Sequence, residues 1–89
     1  MQRIKDMSNN VLRELYGTIN EKSFSLHTKG ITLLDIAKKL GISPENVNMC
    51  LWYLRNKQLI ICPEPSFGNI ERQLDDVQIS SLGIDSIES

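Results

Sequence analysis

Residues 44–57 carry the side chains with the clearest capacity for chemistry, in a segment whose apolar residues follow a helical period. Four apolar residues at spacings of three, one and three predict its buried face: Val47, Cys50, Leu51 and Leu54. Asn46, Asn48 and Arg55 are then predicted to point outward. In the DNA major groove an asparagine amide pairs with adenine and an arginine guanidinium with guanine. These residue types suit base recognition, and an ordinary solvated helix face is the alternative interpretation.

Basic residues around this segment are the candidates for contacts with DNA phosphates, which supply much of the affinity of a DNA-binding protein. Lys38 and Lys39 precede the segment and Lys57 closes it, while Arg3, Lys5 and Arg13 lie in the N-terminal part of the chain. The complete set of predicted DNA-binding residues is Lys38, Lys39, Asn46, Asn48, Met49, Trp52, Arg55 and Lys57.

The charge balance argues against tight DNA binding. The 89 residues carry a net charge of −1, whereas DNA-binding domains are usually basic. Residues 63–80 are the most acidic part of the chain, with a net charge of −3 from Glu64, Glu71, Arg72, Asp75 and Asp76. A phosphate backbone repels such a segment, so we expect it to make no contact with the minor groove.

Met49 and Trp52 lie off the predicted buried face and favour a second interpretation. Methionine and aromatic residues are enriched at protein interfaces, and tryptophan is a frequent hot spot. If these two side chains are exposed, they indicate a protein partner instead of DNA. The alternative is that Trp52 packs against the first helix or against the segment that follows residue 58.

Local signals before this segment predict a second helix and a tight turn. Thr32 precedes an apolar periodic run and Asp35 follows it by three residues, which is the pattern of a capping box. Gly41 predicts the end of that helix, because glycine adopts the left-handed conformation without a Cβ penalty. Ser43 and Pro44 then suit the cap and the first position of the next helix.

The remaining elements follow from apolar periodicity. We predict helices at 9–22, 33–40, 44–57 and 81–88, strands at 59–62 and 74–80, and a possible minimal strand at 30–32. Ser8, Asn9 and Asn10 can cap a fresh start, with a short helix before them, and residues 23–30 are predicted to be a linker. The predicted core is Val11, Leu12, Leu15, Ile19, Leu33, Ile36, Ala37, Leu40, Ile42, Val47, Leu51, Leu54, Ile60 and Val77.

The run ITLLDIAKKLGISPENVNMCLWYLRNKQLI resembles the core of winged helix-turn-helix DNA-binding domains of small transcriptional regulators. The pattern shared with that superfamily is T-x-x-x-I-A-x-x-L-G-I-S-x-x-x-V-x-x-x-L-x-x-L-x-x-x-x-L-I, and the tail VQISSLGIDSIE is similar to its last strand and helix. The resemblance covers roughly residues 9–88. It implies an α+β winged helix, with a three-helix bundle, a helix-turn-helix at 32–57, a small antiparallel β-hairpin wing at 59–80 and a short C-terminal helix.

No catalytic, cofactor-binding or metal-binding residue is predicted, and we expect no enzyme activity. His27 has no neighbouring cysteine or acidic partner, and no nucleophile stands beside a base. Cys50 and Cys62 lack the spacing of metal ligands and are predicted to be buried, inert thiols. No stretch approaches the ~18 apolar residues of a membrane span, and the N-terminus lacks the apolar run of a signal peptide. A cytoplasmic protein is therefore expected.

The resemblance implies a function that the residues alone leave open. It implies a regulator that binds double-stranded DNA, inserts residues 44–57 into the major groove and acts as a homodimer on a palindromic site. The alternative is a winged-helix module for protein–protein interaction that uses an exposed face with Met49 and Trp52 and binds no DNA.

Overall fold

The computed structural model describes residues 3–19, 28, 30–62, 74 and 77–88. These residues form four helices and a two-stranded sheet, in the predicted order. The elements are α1 (Ile4–Tyr16), α2 (Leu33–Leu40), α3 (Pro44–Asn56), β1 (Ile60–Ile61), β2 (Gln78–Ile79) and α4 (Ser81–Glu88). The strands are antiparallel, with Ile60 opposite Ile79. Among the described helices, none is long and apolar enough to cross a membrane.

Helix α1 differs from its predicted bounds of 9–22 at both ends. It begins at Ile4, and Ser8 lies buried within it instead of capping a new helix. It ends at Tyr16, and the next residues form a turn in which Thr18 Oγ1 donates to the Leu15 carbonyl at 2.8 Å. Threonine competes with helical hydrogen bonding in this way, which explains why the helix stops short of residue 22 after Gly17.

The helix-turn-helix forms at the predicted residues because its caps are local. Thr32 Oγ1 accepts from the Asp35 backbone N–H at 3.1 Å, and the Asp35 carboxylate accepts from the Thr32 N–H at 3.0 Å. Gly41 adopts a φ of 67°, in the left-handed region that favours glycine. Ser43 Oγ then accepts from the Asn46 N–H at 3.2 Å, which caps α3.

One apolar core joins all the described elements. Of its predicted members, Ile19, Leu40 and Ile42 are partly buried at its edge and the others are buried. Both cysteines are buried as predicted. The structure adds Met7, Leu74 and Ile79 to the core.

The sheet is shorter than predicted, and irregular hydrogen bonds extend it. Thr28 lies in the predicted linker but is fully buried, where its N–H donates to the Val77 carbonyl at 3.0 Å and its hydroxyl to the Leu74 carbonyl. The Leu74 N–H donates to the Ile31 carbonyl at 2.8 Å, and Thr32 forms a single β-bridge where a minimal strand was considered possible. The predictions on Phe24, Leu26 and His27 lie outside the described residues.

Helix α3 ends in a Schellman motif without glycine. The Leu59 N–H donates to the Leu54 carbonyl and the Gln58 N–H to the Arg55 carbonyl, both at 3.0 Å. Gln58 takes the left-handed position of this motif, with a φ of 62°. Since that conformation brings a Cβ too close to the following carbonyl, Gln58 is a site of local strain.

Ser80 connects the end of α3 to the start of α4. Its hydroxyl donates to the Gln58 carbonyl at 2.6 Å and accepts from the Gly83 N–H at 3.1 Å. Gly83 is buried against the Leu59 carbonyl, and a Cβ at this position would lie 2.9 Å from the Ile79 Cγ2. At the other end of α4, the Tyr16 hydroxyl donates to the Glu88 carboxylate at 2.5 Å.

Replacing the strained residue tests the end of α3. Gln58→Gly is expected to raise the free energy of unfolding by about 0.5–1 kcal/mol, because it removes the Cβ penalty and only part of that gain is lost to backbone entropy. Urea denaturation measures the change. Lys57→Gly is the matched control, since Lys57 has a φ of −82° and a glycine there should destabilise. A Gln58→Gly variant less stable than the wild type would contradict the assignment of strain.

Gly83 provides a test of opposite sign. In an open helix Gly→Ala stabilises by about 1 kcal/mol, but here the methyl group meets the Leu59 carbonyl, so Gly83→Ala should cost roughly 1–3 kcal/mol. Asp85→Ala, at an exposed position of the same helix, is the control. Thermal unfolding of both variants decides, and a stabilised Gly83→Ala would show that α4 does not approach Leu59 so closely.

Candidate nucleic-acid interface

The inner face of α3 is fully committed to the core. Val47, Cys50, Leu51 and Leu54 have no exposed surface. Burial raises the pKa of the Cys50 thiol, and a hydrogen bond with Ser8 of α1 lowers it by a smaller amount. The thiol is therefore neutral at physiological pH, and α3 cannot rotate about its axis without exposing this face.

The opposite face of α3 forms an exposed outer ridge, defined here as Glu45, Met49, Trp52 and Asn56. These residues follow one another at spacings of four, three and four, so they share one side of the helix. Met49 is 42% exposed and Trp52 39% exposed. The ridge is thus apolar at its centre and polar at both ends, and Trp52 does not disappear into the core.

Arg55 connects the outer ridge to the hairpin. Its guanidinium carbon lies 5.7 Å from the centroid of the Trp52 ring, within the range of a cation–π interaction. Its Nε–H points to the Cys62 carbonyl, just after β1, at a long 3.5 Å. The side chain is half-buried. Both contacts favour one orientation of the guanidinium and the indole.

Asn46 and Asn48 lie on opposite flanks of α3, because two residues correspond to about 200° around a helix. Asn46 borders a groove of about 730 Å³ between the start of α1 and the turn of the helix-turn-helix. Asn48 is half-buried and its Oδ1 is shielded from solvent. Since bidentate pairing with adenine needs both the oxygen and the nitrogen of the amide, Asn48 must turn its side chain to make that contact.

The three predicted lysines differ in what they touch. Lys38 is exposed on α2. Lys39 Nζ lies 3.1 Å from the Glu14 carboxylate of α1, so part of its charge is compensated. Lys57 Nζ lies 5.9 Å from the centroid of the Tyr53 ring at the end of α3. Lys38 and Lys57, with Arg55, are the predicted cations that no described carboxylate pairs.

Two contacts of this site escaped the sequence analysis. The Glu14 partner of Lys39 and the Cys62 carbonyl beside Arg55 both come from other elements. Helical periodicity on α1 places Glu14 on a polar face, but no sequence signal pairs it with Lys39. The acidic residues Glu64, Glu71, Arg72, Asp75 and Asp76 were considered with this site, and they lie outside the described residues.

A helix-turn-helix whose second helix turns an exposed ridge outward, followed by an antiparallel hairpin, defines a winged helix. Comparison with solved structures confirms this fold. A mutant of S. aureus MepR, a winged-helix transcription regulator, is similar to this chain with a TM-score of 0.60 and 24% identity, over 92% of this chain and 52% of the MepR chain. The chain thus spans about half the length of MepR. No protein-family model and no curated protein matches the sequence.

Thiol labelling tests the commitment of the α3 inner face. In a Cys62→Ala background, native Cys50 should react with a thiol reagent at pH 8 far more slowly than in denaturant, because burial shields the thiol and raises its pKa. Unfolding free energy should also fall as the pH rises through the ordinary cysteine pKa, since the unfolded thiol ionises first. The Cys50→Ala, Cys62→Ala variant is the control. Equal labelling rates in the native and denatured states would contradict the buried face.

Proposed function

We propose that this chain is the DNA-binding domain of a transcription regulator, with α3 in the major groove of double-stranded DNA. The observation that carries the proposal is the division of α3 into a fully buried inner face and an exposed outer ridge. A recognition helix requires this division, because its outward residues must approach base edges while the rest of the domain holds it in place. The fold shared with MepR supports the proposal.

Phosphate contacts are proposed for Lys38, Arg55 and Lys57. Each released counterion contributes about −0.9 to the slope of log affinity against log salt, so three contacts predict a slope of about −3 for one domain. This is a weak electrostatic contribution, in keeping with the net charge of −1. Lys39 adds less, because it shares its charge with Glu14.

A homodimer on a palindromic site is proposed to compensate for this weak attraction. Two domains that bind successive half-sites double the number of phosphate and base contacts, and dyad-related helix-turn-helix proteins use half-sites about one DNA turn apart. Under this proposal, a duplex with one half-site binds much more weakly than the full site.

Exposure of Met49 and Trp52 favours a second candidate function, a protein-interaction module. Adjacent exposed methionine and tryptophan side chains resemble the centre of a protein interface. In that case α3 contacts a protein surface and the domain binds no DNA. The same tryptophan serves as a probe for both candidates.

Trp52 fluorescence distinguishes the candidates. Addition of random-sequence duplex DNA at low salt should quench or shift the emission, and the effect should fade with a log–log salt slope of about −3 per domain. Lys38→Ala with Lys57→Ala should reduce that slope to about −1, because only the Arg55 contact remains. Glu45→Gln, which removes a negative charge from the same face, should instead strengthen binding.

An emission spectrum that DNA does not change, at any salt concentration, would reject the DNA-binding proposal and leave the protein-interaction module as the better explanation. Binding without salt dependence would reject the assigned phosphate contacts. Circular dichroism of each variant should show an intact fold, since Glu45, Lys38 and Lys57 are exposed.

A further inference from the structure

The centre of the outer ridge has no polar group to offer a base. Met49 and Trp52 are neighbours one turn apart, and their exposed fractions of 42% and 39% leave a thioether and an indole facing outward. Glu45 and Asn56 supply polar atoms at the two ends of the ridge. Any surface that docks on the ridge therefore meets an apolar centre.

The major groove contains one apolar feature, the C5-methyl group of thymine, among base edges that otherwise present hydrogen-bond donors and acceptors. Covering polar edges with apolar side chains leaves them without partners and costs free energy. Covering a methyl group removes apolar surface from water on both sides. We infer that Met49 and Trp52 determine sequence specificity by contacting thymine methyl groups. This inference rests on the proposed function and adds the class of site that α3 recognises.

Arg55 acts as a positioning residue for this contact. Its guanidinium stacks on the Trp52 ring at 5.7 Å and its Nε–H points to the Cys62 carbonyl. An indole that is held before binding loses less side-chain freedom when it meets the DNA. Lysine at this position keeps the charge but lacks the planar group that stacks, so Arg55→Lys separates positioning from charge.

Replacement of thymine by deoxyuridine tests the inference directly, because the two nucleotides differ by that methyl group alone. A duplex is first enriched from a random pool with the full chain, and its thymines are then replaced one at a time by deoxyuridine. Each methyl that Met49 or Trp52 covers should contribute about fourfold to affinity, so two contacts give a loss of about 15-fold.

The variants assign the effect to the ridge. Met49→Ala with Trp52→Ala should bind the thymine and the deoxyuridine duplex equally, with the salt slope unchanged. Arg55→Lys should keep the salt slope and reduce the preference for thymine. Leu82→Ala is the matched control: Leu82 is an apolar residue of α4 with 54% exposure, and its removal should leave the preference intact.

Two failures are distinguishable. If an enriched duplex binds with a salt slope near the expected value but tolerates deoxyuridine at every position, or if the double alanine variant keeps the thymine preference, the inference is overturned and DNA binding stands. If no duplex is enriched and Trp52 emission ignores DNA, the proposed function fails and the inference fails with it.

Discussion

Burial of one side of α3 is the constraint on which the rest of the structure depends. Thirteen residues at 3.6 per turn give the helix a stripe of four residues that are completely removed from water, and α1 and α2 provide the surface that covers them. That stripe accounts for the rotation of α3 about its own axis. The exposure of the outer ridge is the geometric consequence, because residues half a turn away from Val47 and Leu54 have no neighbour to pack against.

A second set of contacts determines where the hairpin and α4 lie relative to α3. The chain leaves α3 through the left-handed Gln58, and the Ser80 hydroxyl joins the Gln58 carbonyl to the first turn of α4. Gly83 then lets α4 approach the Leu59 backbone. Three elements thus meet around a few backbone atoms, and the Cys62 carbonyl reaches Arg55 from the same side. The apolar core supplies cohesion, whereas these polar contacts specify direction.

Signals that act within a few residues were predictable from the sequence. The bounds of α2 and the start of α3 follow from Thr32, Gly41 and Ser43, whose caps involve neighbours three residues away. The bounds of α1 were wrong, because a serine that looks like a cap was buried by contacts with α3 that no local pattern reveals. Burial of Thr28 and the pairing of Lys39 with Glu14 depend on residues distant in sequence, so periodicity gave no information about them.

The candidate DNA-binding residues were likewise predicted as a set but not as an arrangement. The separation of Asn46 from Asn48 follows from helical geometry alone, while the stacking of Arg55 on Trp52 required coordinates.

The separation of the two faces of α3 also has a consequence for divergence. Because the outer ridge adds nothing to the core, substitutions there change which surface the domain recognises at almost no thermodynamic cost. Substitutions at Val47 or Leu51 would instead be eliminated by loss of the folded state. Descendants of this chain are therefore free to acquire new targets within an unaltered scaffold, so that ancestry would be recorded on one side of a single helix and adaptation on the other.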